Sequence, residues 1–295
     1  MPTESDFLAW VKQQQQATSR VLLPAGDDLA ILRWPSDDLL LVGIDQVLDG
    51  IHFDASIHPP RAIGRKAVNR NLSDCAAMGC LPAAAVVSFA LPGGVGLDYA
   101  TELYQGLRDA ADPFDCPIVG GDTGSWNGKL AVSVSIIGRA DGVKPITRTG
   151  ARAGDGIYVT GPLGGSILGR HMIFLPRIRE GRQLASSGVV TAMIDLSDGL
   201  SRDLPRICSS AIVEETGLPI HDDAKVAATE SGIGHRSALA HALHDGEDYE
   251  LLFSASAPPP VGTRIGTVTA QGGIALRRRD GTVEPVVSQG WEHGL

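Results

Sequence analysis

Six acidic clusters, each beside glycine or inside a strand-like run, constrain this 295-residue chain more than any other feature. They are Gly26-Asp27-Asp28, Asp45 to Asp49, Asn71-Leu72-Ser73-Asp74, Gly120-Gly121-Asp122-Thr123, Asp195-Leu196-Ser197-Asp198-Gly199 and Gly246-Glu247-Asp248. Acids set in apolar stretches such as LLLVGID, PIVGGD and TAMIDLSD are not ordinary surface, because a buried carboxylate must find a cation or give up its charge. So many of them point to hard cations held by oxygen ligands, with Mg²⁺ and a polyphosphate as the combination that uses them.

The 36 glycines, many adjoining these acids, favour close approach of backbone to a ligand. A net charge of −9 argues against a nucleic-acid surface, which needs a basic stripe. It leaves phosphate ligands open if metal ions neutralise them. Apolar residues make up 43% and charged residues 20%, the balance of a soluble globular chain. No apolar run approaches the roughly 20 residues of a spanning helix. The N-terminal MPTESDFLAW has neither a basic segment nor a long apolar core, so the expectation is a cytoplasmic protein with no membrane partner. Cys75, Cys80, Cys116 and Cys208 form no Cys-x-x-Cys pair and no zinc spacing. They read as buried apolar side chains in a reducing compartment.

Periodicity and turn residues predict a helix over 3–18, strands over 29–33 and 39–45, and a helix over 60–79 ended by Gly79. A strand over 83–91, a helix over 97–111 and strands over 116–120 and 130–138 follow. Asn71 and Asp74 fall on one face of the 60–79 helix. In the second half, a strand over 154–161 runs into Gly164-Gly165 and a helix. TAMID is a strand before a helix near 198–210, and further strands lie near 211–215, 249–255 and 264–268. Strands mixed with helices in each half predict two domains, 1–145 and 146–295, of α+β or α/β type with mixed sheets and helices packed on them.

GGDTG at 120–124 follows the apolar CPIV. Its glycines let the backbone approach a phosphate while Asp122 carries a metal; a tight turn capped by the acid is the plainer alternative. Asp195 ends a strand, and Asp198-Gly199 can cap the helix that follows, which leaves Asp195 itself unaccounted for by capping. His52, seven residues after Asp45, stands out among the eight histidines, against a simple surface position. The chain contains no Gly-x-x-x-x-Gly-Lys-Ser/Thr loop, no Gly-x-Gly-x-x-Gly between strand and helix, and no Gly-x-Ser-x-Gly elbow.

AGDDLAIL (25–32), GIDQVLDGIHF (43–53), KAVNRNLSDCAAMGCLP (66–82), IVGGDT (118–123), ITRTGARAGDGIYVTGPLG (146–164), IDLSDGLSRDL (194–204) and DGEDYELLF (245–253) occur in this order along the chain. Together they resemble the thiamine-monophosphate kinase family of the aminoimidazole-ribonucleotide-synthase-like superfamily. LSDCAAMG, IDLSDGL and GEDYELLF are the segments specific to the kinase branch. The resemblance implies an N-terminal domain that pairs in a homodimer and holds ATP and Mg²⁺, with a C-terminal domain closing over the site. It implies transfer of the γ-phosphoryl group of ATP to thiamine monophosphate, giving thiamine diphosphate, with several Mg²⁺ ions and no general base. Asp28, Asp45, Asp74, Asp122 and Asp195 match the family's magnesium ligands, with Asp198 as a further candidate. Gly121, Asp122, Arg148 and Ser197 match nucleotide contacts, with Tyr104 beside them, and His52, Glu247 and Trp291 match thiamine-phosphate contacts.

The chain departs from the family pattern at several places. Ile44 and Gln46 stand where hydroxyl residues usually flank the aspartate, and Gly124-Ser125-Trp126 stands where Thr-Arg-Gly is usual. His244-Asp245 replaces Ser-Gly ahead of Gly246-Glu247-Asp248, and residues 166–190 are shorter than usual. Two other readings therefore stay open at this level. One is a related ATP-dependent enzyme acting on another small phosphate or acid. The other is a catalytically inactive nucleotide-binding paralogue, which has little use for six costly carboxylates.

Overall fold

A computed structural model describes residues 21–23, 27, 29–33, 38–229 and 236–291. The expected helix over 3–18 and the candidate ligand Asp28 lie outside the described residues. The first half builds one sheet from β1 (Val21–Leu23), β2 (Ala30–Arg33), β3 (Leu39–Leu48), β4 (Leu81–Pro92), β5 (Ile118–Trp126) and β6 (Ala131–Arg139). Their order is β1-β2-β3-β6-β4-β5. Only β4 and β5 run parallel, and the helix between them is the crossover that a parallel pair requires. Alternation sets the faces. Val132, Val134 and Ile136 of β6 are buried against helix α1 (Pro60–Ala77), as are Leu41 and Val47 of β3.

Helix α1 is the central element of the molecule. Its apolar residues Ile63, Val68 and Leu72 belong to a core that also takes in Met193, Leu251 and Phe253 of the second half. Gly79 follows it with φ +65°, the left-handed cap the sequence predicts. Against α1 lies α2 (Gly96–Ala111), and the two touch backbone to backbone. A methyl group on Gly64 would stand 2.1 Å from the Leu103 carbonyl oxygen, and one on Gly106 would stand 2.0 Å from that of Arg61. Gly106→Ala therefore forces the helices apart and should lower stability by about 1–3 kcal/mol. A urea midpoint equal to that of the parent would contradict this close packing.

The second half builds a sheet from β7 (Gly156–Val159), β8 (Val190–Asp195), β9 (Ala211–Glu214), β10 (Leu251–Ala255), β11 (Thr263–Val268), β12 (Ile274–Arg277) and β13 (Val283–Pro285). The order is β13-β12-β9-β11-β7-β10-β8, with β9 and β12 parallel. Helices α3 (Ile178–Ser187), α4 (Leu200–Ile207), α5 (Asp222–Ala227) and α6 (Ala238–His244) complete this half. Two mixed sheets with packed helices are the architecture expected. No helix among the described residues is long and apolar enough to cross a membrane.

Two local expectations are corrected. Gly164-Gly165 leads into two short 3₁₀ turns, Ser166–Leu168 and Arg170–Met172, and the next α-helix starts only at Ile178. The backbone N–H groups of Gly164 and Gly165 are held by Asp248 and Asp245, so this stretch is fastened to another loop before a helix can start. The strand expected to end at 120 continues through Gly120–Gly124 to Trp126, because every residue from Gly120 on has a partner in the long strand β4.

Candidate active site

One stripe of α1, residues 66, 70, 73 and 74, is spaced so that all four side chains point the same way. Lys66, fully buried, donates to the backbone oxygen of His52 at 2.6 Å and to Glu247 Oε2 at 2.7 Å, and its Nζ lies 2.8 Å from His171 Nδ1. Arg70 donates to Asp45 Oδ2 at 2.9 Å and stands 3.8 Å from Glu247 Oε1. Ser73 donates its hydroxyl to Asp195 Oδ2 at 2.6 Å. Asp74 is half-buried on the same stripe. Asn71, which shares a helix face with Asp74 by spacing, is instead buried, donating to the Ala67 carbonyl at 3.0 Å.

The two acidic motifs of the second half pack directly on each other. Glu247 N–H donates to the Ser197 carbonyl at 2.8 Å and Tyr249 N–H to that of Leu196 at 2.9 Å. Gly246, at φ +78°, leaves no room for a side chain, since a methyl group would stand 2.7 Å from Ser197 O. Glu247 and Tyr249 both hold φ at +52°, a left-handed conformation that non-glycine residues keep only where surrounding contacts impose it. The contacts here are hydrogen bonds and charges. Burial pushes the Glu247 carboxyl upward, but the hydrogen bond from His171 and the nearby Lys66 and Arg70 bring it down to about 2. Burial likewise pulls Lys66 down to about 8 against the attraction of Glu247. Tyr249 stacks on Phe174 with ring centres 3.8 Å apart and donates to Glu247 Oε1 at 3.1 Å. Its hydroxyl feels the charges of Arg70, Glu247, Asp45 and Asp195 together.

A cavity of about 620 Å³ opens on this arrangement, and His52, Ser197, Asp198, Glu247 and Trp291 all line it. All three sequence-predicted substrate contacts thus meet at one cavity, with Asp198 and Ser197 beside them. Arg70, Tyr249 and Asp245 add to the wall. Asp198 accepts from Arg206 at 2.7 Å, and the same guanidinium reaches Asp203 at 2.7 Å. Burial, then the charge of Asp198, hold the Asp203 carboxyl well above the usual range, and Asp195 adds to the effect. Asp245, one of the departures from the family pattern, accepts from Gly165 N–H at 2.9 Å and lies 2.9 Å from His241 Nδ1. Together with Asp248, which binds Gly164 N–H at 3.0 Å and Arg170 at 3.0 Å, it clasps the 164–167 loop over the cavity.

Other sequence-predicted residues stand elsewhere. Pairing runs Gln46–Ser133–Ser88–Asp122 across the first sheet, which puts Asp122 on the outer face, opposite to the face from which Asp45 meets Arg70. Gly121 is exposed on the same edge strand. Tyr104 is exposed on α2 and is not part of the cavity wall. Arg148 donates its backbone N–H to Asp27 at 2.8 Å, tying the first acidic cluster to the start of the second half. Of the departures, Ile44 is exposed on the outer sheet face and Gln46 donates to Ser133 at 2.9 Å. Trp126 donates its indole N–H to the Lys129 carbonyl at 3.1 Å.

The donors are of the type that Mg²⁺ takes. Asp195, Asp198 and Asp203 act on one another electrostatically, with Arg206 bridging two of them, and every donor is oxygen. Among the described residues no three acidic, His or Cys groups form a ready-made metal cluster. Lys66, Arg70, His171 and Tyr249 are the residues the sequence did not single out. The signal available for two of them was a Lys-x-x-x-Arg pair one turn apart on the stripe of Asp74.

Comparison with known proteins defines first a class. Residues 26–140 match the family model described as AIR synthase related protein, N-terminal domain. Thiamine-monophosphate kinase of Rhodopirellula baltica is 38% identical over 99% of this chain and 97% of its own, and that of Synechococcus elongatus is 33% identical over 91% and 90%. The solved structure of AaThiL complexed with AMPPCP and TMP has a TM-score of 0.85 at 28% identity, covering 99% of this chain and 97% of that one. The chain belongs to the thiamine-monophosphate kinase family.

Proposed function

We propose that this protein transfers the γ-phosphoryl group of ATP to thiamine monophosphate, producing ADP and thiamine diphosphate. The observation that carries the reading is the cavity wall, where His52, Glu247 and Trp291 meet beside Ser197 and Asp198. The kinase relatives and the AaThiL complex with AMPPCP and TMP support it. The acceptor is a phosphate oxygen that already carries negative charge, so positioning and charge neutralisation are the whole catalytic task and no general base is needed. Asp45, Asp74, Asp195 and Asp198, with Asp28, are the residues we assign to Mg²⁺, which supplies the positive charge that brings two anionic groups together; Asp122, on the opposite face of the first sheet, is assigned to the nucleotide side. Glu247 offers an ionised carboxylate to the cationic thiazolium, and the indole of Trp291 offers its face. Gly121, Arg148, Ser197 and Tyr104 are assigned to the nucleotide side. ADP release by purified protein, with and without thiamine monophosphate, tests the reading: stimulation by that acceptor supports it, and ATP binding without stimulation overturns it.

We further propose a cytoplasmic homodimer, with 1–145 forming the ATP-binding and dimerisation domain and 146–295 closing over the site. The support is the outer face of the first sheet. Ile44 is 66% exposed and Val86 38%, and both lie in one row through Ser135. Edge strand β5 adds Val119 and Trp126, exposed at 63% and 54%. Exposed apolar side chains grouped on one sheet mark an interaction surface, and a second copy would cover them. Sedimentation at micromolar concentration should give twice the chain mass, and Ile44→Asp should give the single chain. A parent that sediments as one chain contradicts the dimer.

A further inference from the structure

We propose that Lys66 and His171 are positioning residues that hold the Glu247 carboxylate in one orientation and turn its second oxygen toward the cavity; the inference rests on reading Glu247 as a substrate contact. Glu247 Oε2 is occupied from behind, by Lys66 at 2.7 Å and by His171 Nδ1 at 3.1 Å. Oε1 receives the Tyr249 hydroxyl at 3.1 Å, while Arg70 stands 3.8 Å away. One oxygen is therefore anchored in the protein. The other has a phenol as its close donor, and that phenol's residue, Tyr249, lines the cavity together with Glu247 and Arg70.

A structural role alone accounts poorly for this ammonium. Lys66 has no exposed surface and sits in a helix most of whose residues are buried. Apolar residues of similar volume commonly replace buried ion pairs without loss of stability. What an apolar residue cannot do is hold a half-exposed carboxylate in one orientation. The same ammonium also grips the backbone oxygen of His52 at 2.6 Å, so two cavity-lining residues, 195 positions apart in the chain, hang on one charge. Glu247 sits at a left-handed φ of +52°, a conformation held in place by its surroundings rather than preferred locally. Lys66 and His171 are the side chains that meet it from behind.

The test is a double-mutant cycle on kinetics with Lys66→Met and Glu247→Gln. Lys66→Met should raise the KM for thiamine monophosphate about tenfold while changing that for ATP by less than about twofold. In the Glu247→Gln background the same substitution should add a much smaller rise, that left from His52. An equal rise in both backgrounds, or parallel rises for both substrates, overturns the proposal. A second reading does not depend on turnover. The ¹³C carboxyl signal of Glu247 should stay that of the ionised form down to the lowest pH at which the parent folds. In Lys66→Met it should titrate near the ordinary value of about 4.3, and an unchanged signal overturns the proposal. If Lys66→Met does not fold, His171→Gln replaces it in both measurements, with a smaller expected rise in KM. A parent without turnover on thiamine monophosphate would defeat the functional reading alone, since the carboxyl titration still decides the role of Lys66.

Discussion

Asp195→Asn should fold as the parent does and lose turnover by at least about a hundredfold, with half-maximal activity moved to higher Mg²⁺. The substitution is isosteric, and Asn keeps an oxygen to accept the Ser73 hydroxyl that now reaches Asp195 at 2.6 Å. Folding therefore has little to lose. The charge is another matter. Asp195 is buried at the end of β8, among Asp198, Asp203 and Arg206, and removing one of those negative charges weakens the attraction for a divalent cation where water screens it least. Steady-state rates across a Mg²⁺ series check this. Parental activity at limiting Mg²⁺ would take Asp195 out of the site.

Trp291→Ala should raise the KM for thiamine monophosphate by up to about 30-fold and leave that for ATP nearly unchanged, since an aromatic face over a cation contributes about 0.5–2 kcal/mol. A large aromatic can also merely pack its segment onto the body of the protein. In the structure the ring is 48% exposed and lines the cavity, while the backbone N–H of Trp291 bonds the Asp198 carbonyl at 3.1 Å. The main chain gives the tail an attachment that the substitution leaves intact. Equal weakening of both substrates, or a lower melting temperature without a selective kinetic change, would favour packing.

The half of the site made of acids was legible because carboxylates inside apolar runs are conspicuous. Asp195 and Asp198 in TAMIDLSD, Asp45 in LLLVGID and Glu247 beside Asp248 stand around the α1 stripe and its cavity. The cations that answer them were not legible, because pairing is a property of the folded chain. Arg70 is 25 residues from Asp45, and Lys66 is 181 from Glu247. Lys66 and Arg70 sit in a helix whose composition gives no reason to single them out, and His171 lies in a stretch expected to be helical. That stretch is 3₁₀ instead, since its glycine N–H groups answer to Asp245 and Asp248 far along the chain. The facing of Asp122 was equally hidden. Its motif reads as a glycine-rich phosphate approach with a tight turn as the plainer alternative, and only pairing with β4 makes it a strand and decides which side the acid takes.

The central claim is that the terminal phosphoryl group of ATP ends on the phosphate of thiamine monophosphate. Incubating the purified protein with Mg²⁺, γ-³²P-labelled ATP and thiamine monophosphate, then separating the products, tests that claim most directly. The account predicts that label accumulates in thiamine diphosphate in step with ADP. Label found in inorganic phosphate alone, or left in ATP while the nucleotide is bound, would contradict it.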